Sequence, residues 1–194
     1  MKVLIVYAHP NPESFNHAIL QAFTSGLSAA GHTYEVVDLY AINFNPCLSV
    51  EDFVKISEGS NSDDVLSQQA KVNEADALAF IHPIWWTGTP AMLKGWIDRV
   101  FSLGYAYTME EGTGRPIGLL KHKKALILTT AGSPEELAEM TGSAAALEKI
   151  WCHEIIQFCG IDDVRLKVFY SVIVADDETR KGYLDEARQL GEDF

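Results

Sequence analysis

The sequence predicts an α/β fold: a doubly wound, five-stranded parallel sheet in the order 2-1-3-4-5 with helices on both faces. Three observations carry that expectation. Five apolar runs of strand length alternate with segments whose apolar residues recur at helical spacing. The first and the central runs are continuous, as strands covered on both faces require. Three of the runs end in short turns, His9–Asn16, His82–Pro90 and Thr129–Pro134, which such a sheet opens at one edge.

Lys2–Tyr7, with Val3, Leu4, Ile5 and Val6, is the first strand. After its polar turn, Phe15, Ile19, Ala22, Phe23 and Leu27 mark a helix, with Gly31 as its C-terminal cap. Tyr34–Leu39 alternates charged and apolar residues and reads as a less buried strand. A short helix near Val50–Ile56 and a second over Asp64–Glu74 precede the third strand, Ala77–Ile81. The loop His82–Pro90 follows. Pro83 stiffens it, Gly88 lets it turn back, and Thr89-Pro90 supplies a helix start with Pro at the first helical position.

Met92, Leu93, Trp96, Ile97, Val100 and Phe101 then line one face of a helix over Ala91–Phe101. Ser102–Lys123 departs from simple alternation, and an excursion of that length is usually functional or lies at an interface. Lys124–Thr130 is the fourth strand. Ser143–Cys159 reads as a helix with Ala146, Ile150, Trp151, Ile155 and Phe158 inward, stopped by Gly160. Val164–Val174 is the last strand and Glu178–Leu190 the last helix. With 194 residues and neither repeat nor internal linker, a single domain over 1–194 is expected.

Composition narrows the partners. A net charge of −12 repels nucleic acid and anionic membrane surfaces. No apolar run approaches a membrane span, and Val3–Val6 is too short for a signal peptide. Three cysteines without a Cys-x-x-Cys pair suit a reduced, cytoplasmic protein.

Familiar motifs fail. Gly112–Ile117 does not complete a dinucleotide fingerprint, and no phosphate-binding P-loop is present. His153–Gln157 imitates a zinc-protease helix but has Gln where the second His must stand, so no metal site is expected. Cys152 and Cys159 sit on a helix face and read as packing. The three turns remain. In the first, Ser14, Asn16 and free backbone N–H groups could hold a phosphate, with His9 as a further donor; the alternative is a helix cap with nothing bound. In the second, Trp85 and Trp86 offer a flat platform for a planar ligand, against the alternative that they cap the core. In the third, Gly132 permits close backbone approach to the ring's polar edge. Tyr105 and Tyr107 serve equally as core residues or as a flat, phenolic substrate site.

These stretches carry a resemblance. Ala8-His9-Pro10 with Ser14-Phe15-Asn16, Asp38-Leu39-Tyr40 followed by Asn43–Pro46, Pro83-Ile84-Trp85-Trp86, Pro90–Phe101, Tyr105-Ala106-Tyr107 and Thr129–Ser133 run in order across most of the chain. The chain resembles the NAD(P)H dehydrogenase (quinone) family of flavodoxin-like flavoproteins. The resemblance implies a single flavin-binding domain holding FAD, or FMN in some members, and a homodimer with active sites at the subunit interface. It implies that NADPH or NADH gives a hydride to the flavin and leaves, after which a quinone-like acceptor takes two electrons at the same place.

Carried over by residue, His9, Ser14, Phe15 and Asn16 would hold the phosphate and ribityl portions. Pro83, Ile84, Trp85 and Trp86 would line the ring system, and Thr129, Thr130, Ala131 and Gly132 its pyrimidine end. Trp85, Tyr105 and Tyr107 would meet substrate, Tyr107 in the partner's pocket. The sequence also departs from the family. The Tyr and His that mammalian members carry after the glycine turn are missing from Ser133–Ser143, which offers Glu135, Glu136 and Glu139, and Ala131 stands for the family's first Gly. That departure keeps open a second reading, a flavin-loaded regulatory subunit of a transporter; a one-electron carrier of the flavodoxin type is a third.

Overall fold

A computed structural model describes residues 1–194. Five strands, β1 (Lys2–Tyr7), β2 (Thr33–Asp38), β3 (Ala77–Pro83), β6 (Ala125–Thr130) and β7 (Val164–Phe169), form one parallel sheet in the order β2-β1-β3-β6-β7. That is the 2-1-3-4-5 arrangement once the short antiparallel hairpin β4 (Tyr107–Met109) and β5 (Pro116–Gly118) is set aside. The hairpin lies inside the Ser102–Lys123 excursion, where no strand is expected from the sequence.

Each sheet face has its own apolar layer. On one, Val3, Ile5 and Tyr7 of β1 pack against Ile19, Phe23 and Leu27 of α1 (Phe15–Ala29) and Ala187 of α7 (Asp177–Glu192). On the other, Leu4, Phe80 and Ile127 pack against Val65 and Val72 of α3 (Asp63–Glu74), Leu93 and Trp96 of α4 (Ala91–Val100), and Trp151. Every residue of β3 and of β6 is buried, which accounts for their continuous apolar sequences.

Two glycines set how closely α1 and α7 approach. A Cβ on Gly26 would stand 2.0 Å from the Arg188 carbonyl oxygen, and one on Gly191 would stand 2.3 Å from that of Phe23. Only hydrogen fits at either position.

The helix α2 (Val50–Ser57) is inverted. Its one buried side chain is Asp52, while Val50, Phe53 and Val54 face solvent. Asp52 turns inward because Arg99 of α4 awaits it: Nη2 donates to Oδ1 at 3.0 Å and Nε to Oδ2 at 3.2 Å. Arg99 also donates to Asp64 and to the Asn45 carbonyl, so one guanidinium ties α2, α3 and the loop before α2 to α4.

Several expectations are corrected. The last strand ends at Phe169, because the chain turns away through Ser171 at φ 56° and leaves Ile173 and Val174 exposed. β3 runs on through His82 and Pro83, both buried, so these belong to the sheet and not to the loop. Pro90 is the cap of α4, one residue before its first turn, and no side chain caps that end. The expected helix over Ser143–Cys159 changes pitch: α6 (Ser143–Glu148) continues as a π-helix over Lys149–Gln157. Leu147 of α6, Trp151, Cys152 and Ile156 of the π-helix and Cys159 beyond it are buried, Ile155 and Phe158 pack on the core as expected, and Ala146 and Ile150 are exposed. A further short helix, α5 (Glu135–Met140), precedes it. No helix is long and apolar enough to cross a membrane.

Candidate functional site

Parallel register brings the three turns to one place. Tyr7 pairs with Ile81, Pro83 with Thr130, and Thr130 with Phe169, so β1, β3, β6 and β7 end side by side. The Ala8 N–H donates to the Ile81 carbonyl at 3.0 Å and the Ile84 N–H to that of Thr130 at 2.8 Å, holding the first residues past the sheet in line. The crevice outside these carboxyl ends is where an open α/β sheet binds its ligand.

The first turn leads into α1. Ser14 is its cap, accepting from the His17 N–H at 3.2 Å while lying 3.3 Å from the Tyr7 hydroxyl. The N–H groups of Phe15 and Asn16 have no partner within the chain and point out of the helix start, a favourable place for an anion. Asn16 is buried. Its Nδ2 donates to Thr130 Oγ1 at 2.8 Å, bridging the first and third turns, and its Oδ1 has no partner. An unpaired buried acceptor suits a ligand hydroxyl. His9 Nδ1 accepts from the Asn11 N–H at 3.0 Å, which leaves its Nε2–H free as a donor, and its ring lies against Trp85, centroids 5.9 Å apart.

The second turn is a tight hairpin. Trp85 and Gly88 exchange both backbone hydrogen bonds at 3.0 Å. The two residues between them take the left-handed conformation, Trp86 at φ 50° and Thr87 at φ 58°, the geometry of a type I′ turn. Gly88 is therefore not the residue that turns the chain. A bulky aromatic and a β-branched residue both in this region store strain, which is typical of ligand clamps. The result is that Trp86 stands fully exposed and Trp85 half so, with the N–H groups of Trp86 and Thr87 unpaired at the tip. Pro83 is buried beneath them and Ile84 half-buried.

In the third turn the two threonines part. Thr130 faces Asn16 and the α1 side, whereas Thr129 is fully buried on the opposite face and meets the crevice only through its backbone. Ala131 is held by its N–H to Phe169 and its carbonyl to Val172, and Ser133 accepts from the Ser171 N–H at 3.0 Å. The N–H groups of Gly132 and Ser133 are unpaired. The space where a Gly132 Cβ would sit holds the tip of Ile173, at 2.7 Å, so the glycine accommodates a neighbouring side chain. Thr87 and Ser133 were not among the expected site residues. Their contribution is a backbone N–H, which no side-chain pattern announces.

Tyr105 and Tyr107 lie elsewhere. α4 carries the chain from the Trp turn toward the opposite end of the sheet, where Gly118 of the hairpin packs on Gly160 just before β7. Tyr105 donates to the Gln69 carbonyl of α3 at 2.9 Å and stands 2.9 Å from Asn73 Oδ1, and burial pushes its phenol well above the usual range. Within one chain its hydroxyl is thus spent on α3. Tyr107 packs edge-on against Phe158, centroids 5.0 Å apart, and lines a groove of about 350 Å³ with Ile97, Phe101, Met109 and Phe158. No group of three or more His, Cys, Asp or Glu is placed to hold a metal ion.

The crevice thus offers unpaired donors at one end, a buried acceptor in the middle, and an exposed indole flanked by four backbone N–H groups at the other. It contains no nucleophile with an adjacent base. Its chemistry would be that of a bound group.

Comparison with known proteins agrees with this geometry. An uncharacterized NAD(P)H oxidoreductase of Haemophilus influenzae is 34% identical over 190 residues, 97% of this chain and 93% of that protein. The human ribosyldihydronicotinamide dehydrogenase (quinone) is 34% identical over 201 residues, 93% of this chain and 86% of that protein. The NAD(P)H:quinone oxidoreductase from Methanothermobacter marburgensis superposes with a TM-score of 0.91 at 39% identity, covering 100% of this chain and 96% of that one. A family model described as the flavodoxin-like fold matches residues 1–190, and the chain belongs to that family, alongside these oxidoreductases.

Proposed function

We propose that the protein is a flavin-dependent oxidoreductase that passes two electrons from NADPH or NADH to quinone-like acceptors. The observation that carries this reading is the exposed Trp86 on its strained turn, placed between two sets of unpaired backbone donors. The residues fit a flavin along its length. The Phe15 and Asn16 N–H groups suit the phosphate, Asn16 Oδ1 a ribityl hydroxyl, and the N–H groups of Trp86, Thr87, Gly132 and Ser133 the carbonyl-bearing edge of the ring. When bound, the flavin supplies the hydride chemistry. The protein supplies position: Trp85 and Trp86 bear on one flat face of the crevice and leave its other face open to donor and acceptor in turn. FAD is the preferred form.

The working unit is a homodimer. Tyr107 lies at the far end of the sheet from its own Trp turn, beside an apolar groove, so it serves a site only when a second copy sets that end over the crevice. A reduced, cytoplasmic setting accords with three free cysteines.

The test is direct. The purified protein is expected to be yellow, to release FAD on denaturation as identified by mass, and in stopped flow to bleach with NADPH or NADH and recover with a quinone. A protein that stays colourless with added FAD and FMN would refute the proposal. A stable one-electron form on titration would favour the carrier reading instead.

A further inference from the structure

Beneath the Trp turn, on the sheet face away from α1, three fully buried polar side chains lack partners: His82 Nε2, Thr129 Oγ1 and Trp151 Nε1. None belongs to the crevice described above. They are neighbours. His82 and Thr129 are register partners on β3 and β6 and so project to the same face. Trp151, carried inward by the π-helix, lies on His82 with ring centroids 5.2 Å apart and planes 26° from parallel.

Their hydrogen-bonding capacities are complementary. His82 Nδ1 is 2.9 Å from the Pro83 carbonyl, which can only accept, so Nδ1 carries the proton. Burial keeps the ring neutral, which makes Nε2 a bare acceptor. The indole Nε1 is a donor only, and the Thr129 hydroxyl is both. Yet the indole and imidazole cannot bond directly. In stacked rings the N–H and the lone pair lie in their own planes and point past each other. A third group at the ring edges is required.

We propose that this cluster is a binding site for one internal water molecule. The water accepts from Trp151 Nε1–H, donates to His82 Nε2 and exchanges a third bond with Thr129 Oγ1, the number a buried water usually makes. It fixes His82 as the Nδ1–H tautomer, and His82 in turn holds the Pro83 carbonyl at the root of the Trp85–Gly88 turn. His82 is thus a positioning residue for that turn, whatever ligand the crevice takes.

Two measurements on the purified protein test the site. In NMR of ¹⁵N-labelled protein, the Trp151 indole proton should show a cross-peak to a long-lived water, and His82 Nε2 the shift of an unprotonated nitrogen. In thermal unfolding, Thr129→Val should lower the melting temperature and Thr129→Ser should restore it. If the hydroxyl had no partner, the isosteric valine would be better buried and would raise the melting temperature. A higher melting temperature in Thr129→Val, an indole proton with no water contact, or a protonated Nε2 would each overturn the proposal.

Discussion

Arg99 reaches Asp52 through two hydrogen bonds, at 3.0 and 3.2 Å, with both side chains almost wholly buried. Burial pushes the Asp52 carboxyl up, but donors from Arg99, Ser49 and Ser62 outweigh it and hold the carboxyl well below the usual range. A carboxylate depressed in the folded state adds stability that is complete above its unfolded value and is lost as pH falls below it. Asp52→Asn should therefore destabilise the protein by about 3 kcal/mol at neutral pH, since Asp64 still faces the guanidinium. Urea unfolding should show the gap between variant and parent closing in acid.

The left-handed pair in the Trp turn yields a prediction of opposite sign. Thr87 at φ 58° is a β-branched residue where glycine is preferred. Thr87→Gly keeps the backbone N–H and removes the strain. It should stabilise the protein by about 1 kcal/mol, or raise the melting temperature by about 2–4 °C.

Trp86 touches little of its own chain, so truncating it should leave the fold intact. Trp86→Ala is expected to keep its melting temperature within about 1 °C while loosening flavin by about tenfold or more, a loss on the order of 1.4 kcal/mol in aromatic contact. Fluorescence titration of apoprotein with FAD measures it. Unchanged affinity would remove the indole from the site.

His82 gives the protein a second acid sensitivity. Burial lowers its imidazole to about 4, against a pull upward from the Pro83 carbonyl. Between the ordinary value of 6.5 and about 4 the unfolded chain binds the proton and the folded one does not. Stability should fall as pH drops through that window, by up to about 3 kcal/mol. The slope of melting temperature against pH there should flatten in His82→Phe.

The cysteines should divide by exposure. Cys47 is exposed, whereas Cys152 and Cys159 are buried and burial raises both thiols, Cys159 to about 11. Iodoacetamide should add one group to native protein and three in denaturant, counted by intact mass. Rapid labelling of Cys159 would contradict the packing assigned to it.

Much of this architecture is legible in the residues, for physical reasons that also mark the limits. Lys2–Tyr7, Ala77–Ile81 and Ala125–Thr130 announce themselves because burial on both faces demands unbroken apolar sequence. The same rule misleads at Val172–Val174, where β-branched residues continue but the sheet does not. The hairpin Tyr107–Met109 with Pro116–Gly118 is too short for any period to register and is set by distant packing. Along Ser143–Cys159 the 3.6-residue spacing finds Trp151, Ile155 and Phe158, but nothing in it marks the change of pitch at Lys149, and Ala146 and Ile150 face out instead. At the site, the side chains of Asn16 and Trp86 were legible, while the donors on Thr87 and Ser133 belong to the backbone. Arg99 carries a visible signal, a charge three residues after Trp96 on the buried face of its helix.

The π-helical stretch has a consequence for how this molecule can change over generations. Trp151 meets His82 after a fixed count of residues from Ser143, the six of α6 and the first turn of the π-helix. Point substitutions along its outer side leave that meeting undisturbed. The loss or gain of one residue before Trp151 would rotate the indole off the sheet by about a quarter of a turn. The length of this segment is therefore held more strictly than its composition, and insertions in descendants of this chain should fall in the flanking loops.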